Sequence, residues 1–359
     1  MFAGSISLGS FKKIPMSIHW SAALIAVLIG SNLVGVYGVA PGVFGVLAFL
    51  GSIIAHELGH ALTARRYGVR TESIDLWALG GIAKLDRPAP SPRAEGWIAV
   101  AGPLTSLVIG VLSIGTVVAL AVSGLDSAFI GVLGWLGVVN GVLAVFNMLP
   151  GAPLDGGRLL KAWRWGRHGD QFRAAREAAS AGVTLGWSLA GLGLVLLLAG
   201  QAGIMLAITG MFIASSAKAE ERAADLAEAL HGVRVGDLTW WGIADAPIDT
   251  DAETMVWQRA RLGNAGVVAV RDSDGSVVGL VDEDQLLAVP LDRRPWTPIA
   301  SLMTPTARLT RAEPDEELST VLGRLDPRRP LVTVWRGNTL LGVVPRQRLL
   351  QRLRAAPAN

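Results

Sequence analysis

Apolar residues fall into three long blocks, and the polar residues gather between and after them. From Ile14 to Ala55 no charged side chain occurs, taking His19 as neutral. A helix needs about 20 residues to cross the hydrocarbon of a bilayer. This stretch is too long for one span, and Gly and Pro interrupt it between Asn32 and Gly42, so it predicts two helices, 17–36 and 42–64. The second block, 96–153, holds Asp126 as its only charge, and a turn at Ser123, Gly124 and Asp126 divides it into helices 97–122 and 127–149. The third block, 178–217, is charge-free and breaks at Gly200-Gln201-Ala202-Gly203 into two shorter helices. The pattern predicts about six spans. Between the first two blocks, residues 72–79 alternate polar and apolar, Gly80-Gly81 follows, and residues 82–85 continue the alternation. Two readings stand: a short hairpin, or an amphipathic loop lying on the membrane surface.

Composition agrees with a membrane protein. Of 359 residues, 51% are hydrophobic and 17% charged, against roughly 25% charged in soluble domains. A mean hydropathy of +0.45 excludes a disordered or wholly soluble chain. The lack of cysteine excludes disulfides and thiolate chemistry, so any metal must be held by His, Asp or Glu. The net charge divides unevenly, 14 Lys/Arg against 9 Asp/Glu in residues 1–217 and 18 against 20 in 218–359. The positive excess therefore lies in the apolar half and neither half has a long basic run, so no nucleic-acid partner is expected. The turns at 31–42, 123–127 and 200–203 carry no Lys or Arg, whereas Lys12, Lys13, Arg65, Arg66, Arg70 and the basic residues of 158–176 lie on the other side. By the positive-inside rule both termini are cytoplasmic in a multi-pass protein of the plasma membrane. Arg outnumbers Lys 27 to 5, a composition that suits a high-GC bacterium.

His56-Glu57-Leu58-Gly59-His60 lies near the inner end of the second predicted span. Residues four apart share a helix face, so His56 and His60 can ligate one Zn²⁺ while Glu57 reaches a water on it. Zinc lowers the pKa of such a water to about 7; Glu57 can take its proton and deliver it to a leaving amine. A glutamate in a membrane helix without a function is costly. A catalytic zinc takes three protein ligands. The candidate for the third is Asp155, in the turn Pro153-Leu154-Asp155-Gly156-Gly157 that ends the fourth predicted span. The alternative is that Asp155 only caps a turn.

Together, His56-Glu57-Leu58-Gly59-His60, Ala101-Gly102-Pro103-Leu104-Thr105-Ser106 and Leu154-Asp155-Gly156-Gly157-Arg158 resemble the site-2 protease family of intramembrane zinc metalloproteases, over about residues 8–217. The resemblance implies His56, His60 and Asp155 as zinc ligands and Glu57 as catalytic base. It implies hydrolysis of peptide bonds in or near transmembrane segments of single-span substrate proteins. It also associates Asn147 with substrate or oxyanion handling; a helix–helix hydrogen bond is the other role open to it. Asn140 is read as such a packing bond, Gly102 and Ser106 as small residues for close helix approach, and His19 as an interfacial hydrogen-bonding group. Arg158 either anchors at the interface or contacts Asp155.

Residues 218–232 predict a polar helical linker. Beyond it the chain repeats once: Val277-Val278-Gly279-Leu280-Val281 aligns with Leu340-Leu341-Gly342-Val343-Val344 at a shift of 63. Two copies of one helix-strand-turn-strand-helix unit sharing a core follow from this. The segment resembles a tandem pair of CBS domains, about 233–290 and 297–353 within 233–359, with Ser301-Leu302-Met303-Thr304-Pro305 and two Gly-hydrophobic-hydrophobic turns carrying the match. The predicted fold class is thus an α-helical polytopic membrane domain (1–217) plus a cytoplasmic α/β tandem CBS module. The resemblance implies regulation of the host and, in some members, an adenine nucleotide. Here Asp282 and Gln285, and Pro345 and Arg348, depart from the ribose-binding pattern, which favours a homodimerisation or docking role over a nucleotide.

Overall fold

The computed structural model describes residues 4–77, 80–123, 127–262, 267–325, 331–345, 348–349 and 351. It divides into two compact units, Met1–Ala224 and Asp225–Asn359.

The first unit begins with two strands, β1 (Ser5–Phe11) and β2 (Ile14–His19), joined at Lys12 and Lys13, both at positive φ. The hydrophobic pattern had a helix from residue 17. The strand runs on to His19 instead, because Ser17 and Ile18 pair with a neighbouring strand. His19 Nδ1 accepts from the Ser21 N–H and so caps α1 (Trp20–Tyr37). Then come α2 (Val39–Arg66), β3 (Thr71–Trp77), β4 (Gly80–Leu85), α3 (Pro92–Val122), α4 (Ala128–Asn147), α5 (Asp155–His168), α6 (Gln171–Leu198) and α7 (Ile204–Leu230). Among the described residues, α1, α2, α3, α4 and α6 are long and apolar enough to cross a membrane. The sixth apolar segment forms the first half of α7, and the polar linker expected after it is that helix continued to Leu230. Ala78, Leu79 and Asp126 lie outside the described residues.

Of the two readings for 72–85, the hairpin is the one found. β3 and β4 pair antiparallel, and β3 also pairs parallel with β2, giving a four-stranded sheet of order β1-β2-β3-β4. A parallel pair needs a long crossover, and here α1 and α2 supply it. The sheet lies against α2: fully buried Ile14 and Ile74 cluster with Ala61, and Leu58 and Ala83 pack on them. One buried carboxylate fastens it. Asp75, 1% exposed, accepts from the hydroxyls of Ser17 and Ser73 and faces Lys84 Nζ at 3.3 Å, so β2, β3 and β4 meet on one side chain. Burial by itself would raise its pKa. The Ser17, Lys84 and Ser73 contacts outweigh burial and leave the pKa lowered.

Among the helices, α3 is central, packing on α2, α4 and α5. α6 and α7 approach backbone to backbone. A Cβ on Gly186 would lie 2.4 Å from Ala214 N, and one on Gly193 2.4 Å from Ala207 N.

The second unit holds α8 (Val235–Leu238), β5 (Ala244–Pro247), α9 (Ala252–Leu262), β6 (Val267–Arg271), β7 (Val277–Asp282), α10 (Glu283–Leu287), β8 (Thr304–Pro305), β9 (Thr310–Ala312), α11 (Leu318–Gly323), β10 (Val332–Arg336) and β11 (Thr339–Val344). The repeat is visible in the pairing. β5-β6-β7 and β9-β10-β11 each join a parallel pair to an antiparallel one. The tight turns between the antiparallel strands hold Gly275 (φ 82) and Gly337 (φ 58) in the left-handed region. Gly279 and Gly342, by contrast, lie inside β7 and β11 rather than in turns. Each makes room for the opening segment of the other repeat. β8, near the start of the second copy, pairs with β7 of the first, and Trp240, near the start of the first, bridges to Val343 of the second. A Cβ on Gly279 would lie 2.6 Å from Met303 Sδ, and one on Gly342 2.4 Å from Thr239 Cγ2. The leading segments are thus exchanged. Val267, Ala269, Leu280 and Val343 form a core common to both copies.

Candidate metal centre

α2 carries His56 and His60 one turn apart, with 5% of each exposed, so both imidazoles face the interior beside α3. The third group arrives from 95 residues further along the chain. The segment 148–154 follows α4 and delivers Asp155 as the first residue of α5. His56 Nε2 and His60 Nε2 are 3.2 Å apart; Asp155 Oδ2 lies 3.2 Å from the first and 3.3 Å from the second. Ligand atoms about 2.0–2.1 Å from a tetrahedral zinc are separated by about 3.3–3.4 Å. The three side chains therefore already stand at the spacing of one face of a zinc tetrahedron. Among the described residues they are the one cluster with this property.

Glycines supply the room. A Cβ on Gly102 would fall 2.1 Å from His60 Nε2 and 2.6 Å from His56 Nε2, the space an ion needs beside these ligands. The other small residues of the three motifs have equally local causes. A Cβ on Gly59 would strike Thr105 Oγ1 (2.6 Å) and Ala101 O (2.8 Å), so α2 and α3 touch through Gly59, Ala101 and Thr105. A Cβ on Gly156 would lie 2.4 Å from both Met148 O and Leu149 O, and one on Gly157 2.3 Å from Ala152 N. The start of α5 is thus folded directly onto the turn before it, which fixes where Asp155 points. From the other side, Ala152 N–H donates to Ala178 O of α6, and Gly182 of α6 has no space for a side chain against Ala152 O.

Both imidazoles are held from behind. His60 Nδ1 donates to Ile98 O at 2.7 Å, and His56 Nδ1 meets the fully buried Ser106 hydroxyl at 2.9 Å. Ser106, taken from its spacing as a packing residue, thus touches a candidate ligand; only its place in the same motif as Gly102 hinted at this. Arg158 pairs with Glu95 of α3 at 3.2 Å, and Lys161 reaches the same carboxylate at 3.6 Å, which ties α5 to α3.

Glu57, 9% exposed, sits under the sheet. A Cβ on Gly81 would lie 2.3 Å from its Cγ, so β4 crosses the site at Gly81. Among the described residues, β4 is an end strand of the sheet, with one edge unpaired. Sequence patterning left the hairpin open and had no means of placing Gly81 on Glu57. Asn147 ends α4, and its amide donates to Leu143 O of its own helix. Asn140 makes the expected interhelical bond, donating to Ser52 Oγ of α2. In the second unit, Asp282 caps α10 by accepting from Asp284 N–H, and its own N–H donates to the Gln285 side chain. The guanidinium of Arg348 lies over the Trp240 ring.

The family model described as "Peptidase family M50" matches residues 44–130 and 122–191. The chain is 37% identical over 356 residues to "Putative zinc metalloprotease Rip3" of Mycobacterium tuberculosis, covering 95% of this chain and 90% of that protein. Among solved structures, it is similar to a site-2 protease from Methanocaldococcus jannaschii, with 30% identity and a TM-score of 0.46 over 60% of this chain and 95% of the other. A conserved CBS domain protein of Thermoplasma acidophilum also matches, with 15% identity and a TM-score of 0.28 over 34% of this chain and 74% of the other.

Proposed function

The chain belongs to peptidase family M50 and is a multi-pass zinc metalloprotease of the site-2 type; from that premise we propose that it hydrolyses peptide bonds within or beside the transmembrane segments of single-span proteins. The observation that carries this is the meeting of His56 and His60, on the membrane-length apolar helix α2, with Asp155 at the start of α5, beside Gly102. Zinc bound there supplies Lewis acidity and an activated water at neutral pH. Glu57 takes the proton of the attacking water and passes it to the leaving amine. His56, His60 and Asp155 are the ligands in this reading.

A substrate helix hides its amides in its own hydrogen bonds and must unwind before attack. The free edge of β4 offers backbone donors and acceptors to an extended segment, and Gly81 brings that edge onto Glu57. Both termini are cytoplasmic in this reading, in the plasma membrane of a bacterium. The basic last turn of α2, Arg65 and Arg66, lies one to two turns beyond His60 and supports a site near the cytoplasmic face.

The second unit is a tandem CBS pair in this reading, and its exchanged repeats support it. It regulates the protease, and α7 is the connection. Gly186 and Gly193 press α6 onto α7, and α6 presses Gly182 onto the turn that presents Asp155. A dimer formed through this unit is supported by exposed Trp257 and Leu287 on α9 and α10.

The test is cleavage of a panel of single-span proteins in detergent by wild type and Glu57→Gln. Zinc content is expected to survive the change while cleavage falls by about 10²–10⁴-fold. Cleavage persisting in Glu57→Gln rejects the reading.

A further inference from the structure

The two imidazoles are held by unlike partners, and the difference matters for a metal. Ile98 O is a carbonyl and can only accept. His60 Nδ1 must therefore carry the proton of that 2.7 Å bond, and Nε2 presents its lone pair toward Asp155 and His56. His56 Nδ1 faces a hydroxyl instead, at 2.9 Å. A hydroxyl both donates and accepts. If Ser106 accepts, Nδ1 keeps its proton and His56 Nε2 is free to ligate. If Ser106 donates, the proton moves to Nε2 and that nitrogen faces its neighbours with no lone pair to offer. Ser106 is fully buried on α3, one turn after Gly102, so no solvent competes for the bond.

The geometry points to Ser106 as a positioning residue for the metal, the acceptor that fixes both the tautomer and the ring plane of His56. It acts through His56 and touches neither substrate nor ion. His60 needs no such residue, because the backbone of α3 does the same work there. The inference rests on the metalloprotease reading and goes beyond it by assigning unequal security to the two ligands. Loss of the Ser106 hydroxyl leaves His56 with a free choice of tautomer and a ring able to turn.

The experiment measures zinc affinity of the full-length protein in detergent by competition with a chelator of known affinity, for wild type, Ser106→Ala, Ser106→Thr and His56→Ala. Outer partners of metal-bound histidines typically contribute 10–100-fold in affinity. Ser106→Ala is expected to weaken zinc binding by about 10–100-fold, and its cleavage activity is expected to climb with added zinc over a range where wild type is already saturated. Ser106→Thr keeps the hydroxyl and is expected to hold zinc more tightly than Ser106→Ala. Zinc binding in Ser106→Ala within twofold of wild type, while His56→Ala loses the metal, overturns the role of Ser106 and leaves the protease reading intact. So does Ser106→Thr losing zinc as fully as Ser106→Ala. Zinc retained unchanged by His56→Ala removes the ligand assignment itself, and this inference with it.

Discussion

The two units use glycine in different ways. In the membrane unit, Gly81, Gly102, Gly156 and Gly157 each stand where a side chain would meet the candidate site or the turn that builds it. In the C-terminal unit, Gly279 and Gly342 do one job twice, admitting the segment exchanged between the copies. The first unit places reactive groups from distant parts of the chain within hydrogen-bond range. The second stacks apolar strands and helices on ordinary cores in which Val270, Val281, Leu286, Val334 and Val344 are nearly or fully buried. A methyl group is therefore a chemical lesion at these positions of the first unit and a packing lesion at those of the second.

That contrast can be broken most severely at Gly102. Gly102→Ala puts a carbon 2.1 Å from His60 Nε2, so both zinc and cleavage are expected to be lost while the helices stay assembled. Metal analysis of the purified protein and its far-UV circular dichroism check this. Gly81→Ala separates the roles within the site. Its methyl displaces Glu57 rather than the ligands, so zinc is retained and cleavage falls by about 100-fold, the usual result of misplacing a reacting group by an ångström. Zinc loss in Gly81→Ala would show that β4 serves the ligands instead.

In the C-terminal unit the same logic gives stability effects. Leu286→Ala empties a fully buried position and is expected to destabilise that unit by about 2–5 kcal/mol, read as an earlier thermal transition with zinc content unchanged. Gly342→Val overpacks the exchange and is expected to cost about 1–3 kcal/mol. If either variant empties the metal site, the stability of the second unit governs metal binding in the first.

The effect at Asp75 is the one that vanishes with pH. Its carboxyl is held below its ordinary value of 3.8, so the stability it contributes is present above that value and is lost as pH falls through the lower folded one. Asp75→Asn is expected to unfold more easily than wild type at neutral pH by about 1–3 kcal/mol, and the gap is expected to close below about pH 4. Thermal unfolding measured across that range is the check.

Much of the architecture was legible in the chain. Apolar block lengths located the helices to within a few residues at most ends, since a membrane span is set by local hydropathy alone. The i, i+4 spacing put His56 and His60 on one face. The shift of 63 announced the doubled unit. What local pattern missed was short-range polarity overridden by pairing. Residues 17–19 look like the start of a span, and became strand because β3, over 50 residues away, lies beside β2. Gly279 and Gly342 looked like turn residues, and became strand residues because another segment crosses them.

The sequence by itself determined the spans, the histidine pair and the repeat, because each depends on periodicity or on residues a few positions apart. Only the tertiary structure decided that Asp155 meets those histidines, that Gly81 lies on Glu57, that Ser106 stands behind His56 and Ile98 O behind His60, and that the leading segments of the repeats change places. These depend on how helices and strands approach one another. Close approach is governed by volumes that are missing, the absent side chains of glycine, and a missing volume acquires meaning only when the neighbour that fills it is in place.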